Sequence, residues 1–331
     1  MEKIKIGILG CANVARKHAI PAFQELEIAE LKAIASRDRE KAAKWAEEFS
    51  IPIHGTYDEI IKNKEIDAVY IALPTGLHEE WAVKAATTGK HVLCEKSLSD
   101  SYESVSKIIE ACKKNSVVLF ENFMCAYHPQ HEKTKQVAEL ELGDIHNFTG
   151  FFGIPHLNKE NFRYKKELGG GSLNDLGAYL VFMSRFFFGE PTAVTCSLDF
   201  QSGTDMHGSA ILEFQDRRHA LISFGLGKLY QSNYSLWGSN GLIKVNRAYS
   251  ILKTLAPDIK LIKNENLQEI SKKIEFLPAH QFLLGFKAFC EAVLSNNLET
   301  KNKKYEEILS QAKVLQAMRD SARTKQRIEI T

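Results

Sequence analysis

Short apolar runs alternate with helix-like segments over the first third of the chain. The predicted strands cover residues 4–9, 30–35, 67–73, 91–94 and 117–121, and the predicted helices cover residues 13–26, 39–49, 57–62, 79–88 and 101–115. Pro21 is expected to kink the first of these helices. A strand followed by a helix at this rhythm is typical of a parallel sheet. We therefore predict a doubly wound α/β domain over residues 1–123.

The pattern changes to a period of two residues after about residue 123. Val194, Cys196, Leu198 and Phe200 alternate with polar residues, and the same alternation recurs over residues 210–214 and 220–224. Tight turns are predicted at residues 216–218 and 238–241, and helices are predicted over residues 281–294 and 305–323. Residues 124–331 should thus form an α+β domain on a mainly antiparallel open sheet, whose last strand and helix could return to the first domain.

An antiparallel sheet with helices on one side leaves its other face open to solvent. A large open face is either polar or covered by something else. We expect a second copy of the chain to cover it, which would give a homodimer or a homotetramer through the C-terminal sheet.

Composition narrows the class of protein. The chain has 331 residues, of which 44% are hydrophobic, and 43 Lys and Arg residues against 41 Asp and Glu residues give a net charge of +2. The basic residues form no long block, which disfavours nucleic acid and anionic membranes as partners. The apolar run near the N-terminus is too short for a signal peptide, so we expect a cytoplasmic protein. The six cysteines show no C-x-x-C pairing, and no metal site is expected.

The first predicted strand ends at a turn suited to phosphate. Gly10 begins the loop GCANVA, and the backbone of Gly10, Cys11, Ala12, Asn13 and Val14 would approach a pyrophosphate at the start of the following helix. The loop departs from the dinucleotide fingerprint G-x-G-x-x-G, because alanines stand at its second and third glycine positions. The alternative is that Gly10 only ends a core strand.

The end of the second predicted strand bears on cofactor choice. An acidic residue at this point would hold the adenosine 2′-OH of NAD, whereas this chain has Ser36 and Arg37, which suit the 2′-phosphate of NADP. Asp38 is interpreted as the N-cap of the next helix. NADP is therefore the favoured cofactor and NAD the alternative, in which case Arg37 is only a solvated surface cation.

Ligands of parallel sheets bind beyond the carboxyl ends of the strands. Three further pairs of residues follow predicted strands and should surround one cleft with the Gly10 turn: Pro74 and Thr75, Glu95 and Lys96, and Glu121 and Asn122.

Four motifs, in order along the chain, resemble those of the Gfo/Idh/MocA oxidoreductases. Residues 7–15 are similar to that family's nucleotide loop, and Leu73-Pro74-Thr75 with His78 is similar to its P-N-x-x-H segment. Glu95-Lys96 is similar to its E-K-P element, and GGGSLNDLGAY at residues 169–179 is similar to its glycine-rich signature. Asp175 with Tyr179 resembles the branch that includes dihydrodiol dehydrogenases, xylose dehydrogenases and nucleotide-linked 3-ketosugar reductases.

The resemblance implies reversible hydride transfer between a nicotinamide and a carbinol carbon of a sugar, a sugar nucleotide or a cyclic diol. It places Lys96 and Tyr179 at the reacting oxygen and Asp175 beside them. The cofactor-binding residues it implies extend those above by Pro74, Thr75, His78, Glu95, Lys96 and Asn122. The alternative interpretation of His78 is that it starts or caps a helix. Arg163, Tyr164 and His128 would touch the substrate, and the alternatives are an ion pair for Arg163 and a helix start at Pro129.

The chemistry is reasonable without the family. A ketone that accepts hydride builds negative charge on its oxygen, which an ammonium stabilises and a hydroxyl proton quenches. Asp175 and Tyr179 would share one face of a helix over residues 172–188, so Asp175 could orient Lys96 or a substrate hydroxyl. The alternative is that the glycine run is a flexible turn, Asp175 an exposed polar residue and Tyr179 part of the core.

Two residues depart from the family pattern, and they leave other functions open. Thr75 stands in place of Asn, and Ser97 stands in place of a proline that would restrain the backbone of Lys96. A protein that senses NADP or a sugar nucleotide without turnover is therefore one alternative. Another is an enzyme of different chemistry, such as a glycoside-cleaving enzyme that recycles its cofactor or an imine reductase.

Overall fold

The computed structural model describes residues 3–330, which form two compact units. The first unit runs to Met124 and also includes Phe282–Ala312. The second unit comprises Cys125–Gln281 and the chain from Lys313 onward. The first division lies one residue after the predicted one, and residues 282–312, which the prediction placed in the second domain, belong to the first unit. Of the elements expected to return to the first domain, the last helix lies there up to residue 312, whereas the last strand lies in the second unit.

The first unit is built on a six-stranded parallel sheet. Its strands are β1 (Ile4–Leu9), β2 (Ala29–Ala35), β3 (Ile53–Gly55), β4 (Ala68–Ile71), β5 (His91–Glu95) and β6 (Leu119–Asn122). Their order across the sheet is β3-β2-β1-β4-β5-β6, and every neighbouring pair is parallel. The strand order reverses between β1 and β4, where doubly wound sheets bind ligands. The predicted fold is confirmed, although β3, with three residues, was not predicted.

Helices connect these strands. They are α1 (Ile20–Glu25), α2 (Arg39–Glu48), α3 (Tyr57–Lys62), α4 (His78–Thr87) and α5 (Tyr102–Lys114). Residues 13–25 are helical throughout, close to the predicted range of 13–26, but Ala15–Ala19 form a π-helical turn that continues directly into α1. Pro21 directly follows this turn, in which the Ile20 N–H donates to Ala15 O, so the irregularity expected near the proline takes the form of a π-helical turn. Asp38 caps α2 as predicted, because its Oδ1 accepts from the Lys41 N–H at 3.1 Å.

Apolar side chains on both faces of the six-stranded sheet are buried. Ile6, Ile8 and Leu9 of β1 are fully buried, as expected for a strand with helices above and below. Two further helices are α8 (Gln281–Ser295) and α9 (Leu298–Thr324). Within the first unit, Phe286 of α8 stacks on Phe23 of α1 with ring centroids 4.4 Å apart.

The second unit is built on a nine-stranded sheet. Its strands are β7 (Ile145–Ile154), β8 (Ala193–Gln201), β9 (Thr204–Glu213), β10 (His219–Leu226), β11 (Gln231–Gly238), β12 (Leu242–Asn246), β13 (Asp258–Glu265), β14 (Gln268–Ile274) and β15 (Ile328–Glu329). Their order is β14-β13-β12-β11-β7-β10-β9-β8-β15. Only the pair β7 and β10 is parallel among the described strands of this sheet, so the prediction of a mainly antiparallel sheet is confirmed.

Helices of the second unit include α6 (Gln130–Glu141) and α7 (Ala178–Phe188). The predicted inward residues of β9 and β10 are buried, among them Leu212 and Ile222. Phe200 was expected to face the core with Val194 and Cys196, but it is 57% exposed. The pairing of β8 with β9 shifts register between Asp199 and Phe200, and this bulge ends the alternation.

The other face of this sheet carries exposed apolar side chains. Phe151, Ile211, Leu221 and Trp237 are between 43% and 62% exposed. Ile211 and Leu221 are cross-strand partners, so their side chains lie on the same face. We call the face that bears these four residues the open face.

Candidate active site

The turn after β1 requires glycine. Gly10 has φ +114°, and a Cβ at this position would lie 2.5 Å from the carbonyl oxygen of Ala72, which follows β4. In the first turn of the following helix, the Arg16 N–H donates to Ala12 O at 3.0 Å. The N–H groups earlier in this turn lie outside the helical ladder and can bind an anion. The turn can therefore receive an anion, and binding of a pyrophosphate there stays a prediction.

Cys11 follows in this turn as a neutral thiol. Its Sγ donates to Ala35 O at 3.9 Å. Burial raises the pKa of Cys11 to about 11, so the group carries no charge near neutral pH. Cys11 can thus line a cofactor without repelling its phosphates.

The end of β2 presents unpaired positive charge. Ser36 is buried and its Oγ accepts from the Asp38 N–H at 3.2 Å, whereas Arg37 is exposed. Two nearby cations are neutralised, Arg16 by Glu48 and Arg39 by Glu59, both at 2.5 Å. Among the ion pairs of residues 3–330, none involves Arg37. A guanidinium in this state can pair with a phosphate.

The predicted residues after β4 fall in a short turn. Pro74 precedes the 3₁₀ turn Thr75–Leu77, and Thr75 is 6% exposed. His78 begins α4 and is 1% exposed. Its Nε2 lies 2.8 Å from Leu73 O and its Nδ1 lies 3.0 Å from Ser97 O. The ring therefore joins the segments that follow β4 and β5.

Hydrogen bonds fix the backbone on both sides of Lys96. The Glu95 Oε1 accepts from Tyr70 Oη at 2.5 Å and from Asn122 Nδ2 at 2.7 Å. Burial raises the pKa of Glu95, and these hydrogen bonds oppose that shift. After Lys96, the Leu98 N–H donates to Glu121 Oε1 at 2.8 Å. Lys96 itself is half-buried, and the Lys96–Ser97 peptide bond is cis.

The glycine-rich signature of the second unit is tightly packed. A Cβ at Gly170 would lie 2.6 Å from the carbonyl oxygens of Phe162 and Arg163, and a Cβ at Gly171 would meet Asp205. Asp205 Oδ2 accepts from Ser172 Oγ at 2.9 Å and from the Leu173 N–H at 2.6 Å. The run is therefore a close contact between segments and not a flexible turn.

Asp175 forms an ion pair with Arg163. The Arg163 Nε donates to Asp175 Oδ2 at 2.6 Å, and the side chains are 27% and 10% exposed, respectively. The structure shows the ion pair that was given as the alternative for Arg163. Asp175 is largely buried, so it is not the exposed polar residue of the alternative given for the glycine run. Contact of either side chain with substrate stays a prediction.

Tyr179 and Tyr164 occupy different surroundings. The predicted helix over residues 172–188 is a π-helical turn, Leu173–Gly177, continued by α7, and Tyr179 lies in the first turn of α7. Tyr179 is 4% exposed, with its ring 5.3 Å from Phe152 and 5.9 Å from Tyr249 between centroids. The Tyr164 Oη accepts from the Leu157 N–H at 2.8 Å, which ties down the loop after β7.

His128 is buried at the start of α6. Its Nδ1 accepts from the Gln130 N–H at 3.2 Å, and burial lowers its pKa to about 4. This arrangement matches the alternative of a helix start at Pro129. Contact of His128 with substrate stays a prediction.

Sequence reasoning did not identify the supporting role of three residues. Tyr70 and Glu121 hold the segment around Lys96, and Asp205 holds the glycine-rich signature. Tyr70 stands inside the apolar run of β4, and Asp205 lies 30 residues beyond Asp175, so local patterns do not connect them with the site. Glu121 was placed at the cleft without a role.

Within residues 3–330, no three His, Cys, Asp or Glu side chains are grouped so that they could hold a metal ion. No described helix has the length and apolar character that crossing a membrane requires.

Each of the two units matches a known protein family model. Residues 4–123 match the family model of the oxidoreductase family with an NAD-binding Rossmann fold, and residues 132–244 match the Gfo/Idh/MocA C-terminal domain. A dTDP-3,4-didehydro-2,6-dideoxy-α-D-glucose 3-reductase from Actinomadura kijaniata is 32% identical, over 97% of this chain and 96% of the relative. A D-xylose 1-dehydrogenase (NADP⁺) from Haloferax volcanii is 32% identical, over 98% and 99% of the two chains.

A solved structure gives the same result for the fold. The 3-ketoreductase from Actinomadura kijaniata, in complex with NADP and TDP-benzene, superposes with a TM-score of 0.92 at 30% identity. The match covers 97% of this chain and 98% of that one. With both domains matched in order and relatives matched over nearly their whole length, the chain belongs to the Gfo/Idh/MocA family of oxidoreductases.

Proposed function

We propose that this oxidoreductase transfers hydride between NADP and a keto or carbinol carbon of a sugar or nucleotide-linked sugar, with Lys96 and Tyr179 acting on the reacting oxygen. The observation that carries the proposal is the position of Lys96. It directly follows β5, near the point where the strand order of the sheet reverses, on a backbone held through Glu95 and Leu98. A fixed ammonium at the carboxyl end of a strand suits a developing negative charge.

The bound nicotinamide supplies or accepts the hydride. Lys96 stabilises the negative charge that grows on a ketone oxygen during reduction. Tyr179 gives that oxygen its proton, and in the opposite direction it removes a proton from a hydroxyl. A free tyrosine has a pKa of about 10, so it is a better acid than base near neutral pH, and reduction is the easier direction.

The first unit supports NADP as the cofactor. The Gly10 turn brings backbone N–H groups to an anion, and Arg37 lies at the end of β2 without a carboxylate partner among residues 3–330. The relatives named above include one with NADP in its name and one solved with NADP. We assign Ser36 and Arg37 to the 2′-phosphate.

The nucleotide-linked sugar is proposed from the relatives. The reductase from Actinomadura kijaniata is named for a dTDP-sugar, and the solved 3-ketoreductase holds TDP-benzene. The xylose dehydrogenase is named for a free sugar. The substrate should therefore be sought among ketosugars both with and without a nucleotide.

We also propose that a second copy of the chain covers the open face. Phe151, Ile211, Leu221 and Trp237 expose apolar surface there, on a sheet whose opposite side is buried. Apolar side chains grouped on one face are typical of protein interfaces.

One experiment tests the proposed reaction. Purified protein is mixed with NADPH and a panel of free and nucleotide-linked ketosugars, and NADPH oxidation is followed by absorbance. At least one ketosugar should be reduced, with a nucleotide-linked 3-ketosugar as the first choice. Tight binding of NADPH and of a sugar nucleotide, without oxidation by any ketosugar, would contradict the proposal and favour a sensor.

A further inference from the structure

His78 has an unusual pair of neighbours. Its ring is 1% exposed and lies between two backbone carbonyl groups, Leu73 O at 2.8 Å from Nε2 and Ser97 O at 3.0 Å from Nδ1. Leu73 follows β4, and Ser97 follows Lys96 after β5. These strands are neighbours in the sheet. One buried ring thus spans the two segments that carry Thr75 and Lys96.

A neutral His78 ring cannot donate a hydrogen bond to both carbonyl groups. Neutral imidazole has one N–H, so it donates to one of two carbonyls, whereas the imidazolium donates to both. Burial lowers the pKa of His78, and the nearby Lys96 charge acts in the same direction. The facing carbonyls of Leu73, Ser97 and Leu98 oppose this shift. The nitrogen that carries the proton decides which segment the ring holds.

His78 contacts a residue that lies between two other hydrogen-bonded positions near Lys96. Glu95 is held through its side chain by Tyr70 and Asn122, and Leu98 is held through its N–H by Glu121. Between them stands Ser97, which lacks the ring by which a proline fixes φ. The carbonyl of Ser97 is the group that His78 contacts.

We propose that His78 is a positioning residue for Lys96: its Nδ1–H donates to the Ser97 carbonyl and so fixes the backbone that carries the ammonium. The inference rests on the proposed function, because it assumes that Lys96 acts in the reaction. It gives His78 an indirect role in place of direct contact with the cofactor.

Two substitutions separate the two contacts. The amide nitrogen of asparagine can take the place of Nδ1, so His78→Asn keeps the donor to Ser97 O and loses the contact with Leu73 O. The longer glutamine reaches the place of Nε2, so His78→Gln does the reverse. Since Lys96 is assigned to the transition state, we expect kcat to fall by about tenfold to a hundredfold in H78Q and by less than about threefold in H78N.

The Kd of NADPH, measured by fluorescence titration, should change by less than about threefold in both variants. The matched control is His91→Asn. His91 lies at the opposite end of β5 and its Nδ1 accepts from the Val118 N–H at 2.9 Å, so H91N should leave kcat unchanged. Equal losses of kcat in H78N and H78Q would overturn the inference, because the contact with Ser97 would then have no special role.

A measurement without substrate reports on Lys96 directly. Lysines are converted to ¹³C-dimethyl-lysine, and the Lys96 resonance is assigned by its loss in Lys96→Arg. We expect this resonance to move in H78Q and to stay in place in H78N. If the Lys96 resonance does not move in H78Q, the inference about His78 is overturned, even where Lys96→Met shows that turnover needs Lys96. If the Lys96→Met enzyme is active, the proposed role of Lys96 is overturned instead.

The wild-type protein offers a test that does not depend on folding of the variants. Long-range ¹H–¹⁵N correlation spectra of the imidazole rings distinguish a protonated from an unprotonated Nδ1, and the His78 signals are assigned with either variant or by selective labelling. We expect a proton on Nδ1 of His78. A ring protonated on Nε2 alone would contradict the inference, because Nδ1 could not then donate to Ser97.

Discussion

At the scale of single residues, we expect the choice between NADP and NAD to depend on one exposed cation. Arg37 follows β2, and its neighbours Arg16 and Arg39 are already paired with glutamates. Substituting Arg37→Ala should weaken NADPH binding by about tenfold to a hundredfold and leave NADH binding nearly unchanged, because only NADPH carries a 2′-phosphate. Titration of both cofactors by fluorescence measures the two Kd values.

Arg39→Ala is the control for that substitution. It removes a cation of the same type two residues away, but one whose guanidinium is paired with Glu59. R39A should change both Kd values by less than about threefold. Equal Kd values of the wild type for NADPH and NADH would contradict the role given to Arg37.

The hydroxyl of Tyr179 is assigned to proton transfer. Tyr179→Phe keeps the ring contacts with Phe152 and Tyr249 and removes one oxygen. General acid catalysis typically contributes about 10²- to 10⁴-fold, so ketone reduction should slow by that factor while the Kd of NADPH is preserved. Steady-state kinetics with an established substrate measures the loss.

Tyr249→Phe removes the same atom from the neighbouring ring. The Tyr249 Oη donates to Asn233 O at 2.9 Å, so Y249F should cost about 1 kcal/mol of stability and leave turnover in place. If Y179F and Y249F are equally active, Tyr179 is a core residue and the proton has another source.

The positions of residues at strand ends were predictable from the sequence, whereas their contacts with cofactor or substrate stay predictions. Gly10, Lys96 and Asn122 were identified because the carboxyl ends of parallel strands meet at one edge of the sheet. Tyr70 was not, since a tyrosine inside an apolar strand resembles a core residue until its hydroxyl is seen beside Glu95. The ion pair of Arg163 with Asp175 depends on the path of a loop, which local pattern does not determine.

At the scale of elements, the glycine-rich segment is rigid because backbone approaches backbone. Gly170→Ala should lower the free energy of unfolding by about 1–3 kcal/mol, because its Cβ would lie 2.6 Å from two carbonyl oxygens. The same signature carries Asp175 and Tyr179, so kcat should fall as well. Thermal unfolding and turnover are measured on the same preparation.

Gly89→Ala separates stability from site effects. At Gly89 no atom lies within 4 Å of an added Cβ, and φ is +78°. G89A should cost about 1 kcal/mol for a left-handed alanine and leave kcat unchanged. A Gly170→Ala variant with wild-type stability and turnover would show that the segment adapts easily.

The periodicity of apolar residues predicted most of the helices and strands, but it did not predict their irregularities. The strand β7 was not predicted, because the run IHNFTGFFGI mixes glycine, aromatic and polar residues without clear alternation. Phe200 was placed on the wrong side because the bulge beside it depends on pairing with β9. The π-helical turns at Ala15–Ala19 and Leu173–Gly177 likewise have no periodic signal.

At the scale of the whole molecule, the proposed dimer depends on the open face. Leu221 is 43% exposed, and its cross-strand partners on this face are Ile211 and Thr149. Leu221→Lys should dissociate the oligomer into folded monomers, because a buried unpaired charge costs several kcal/mol. Sedimentation velocity measures the change in mass.

Leu140→Lys is the matched control. Leu140 lies on α6, away from the open face, and is 84% exposed, so L140K should keep the oligomeric state. A wild-type protein that sediments as a monomer at micromolar concentration would contradict the proposed role of the open face.

Assignment of helices to domains is the part that sequence could not supply at this scale. The helices over residues 281–324 show which of their faces are apolar, but an apolar face does not tell which sheet it will cover. In the structure, Tyr305 of α9 donates to Val117 O of the first unit, and Lys301 Nζ donates to Ser116 O at 2.6 Å. Such long-range partners are visible only in the folded chain.

The most direct test of the central claim is the single-turnover rate of NADPH oxidation in Lys96→Met. The enzyme is loaded with NADPH and mixed with a ketosugar substrate in a stopped-flow instrument, and the Kd of NADPH is measured on the same preparation. We expect the rate to fall by about a hundredfold or more with the Kd nearly unchanged, because the ammonium acts on charge present only in the transition state. A Lys96→Met enzyme with the wild-type rate would contradict the account.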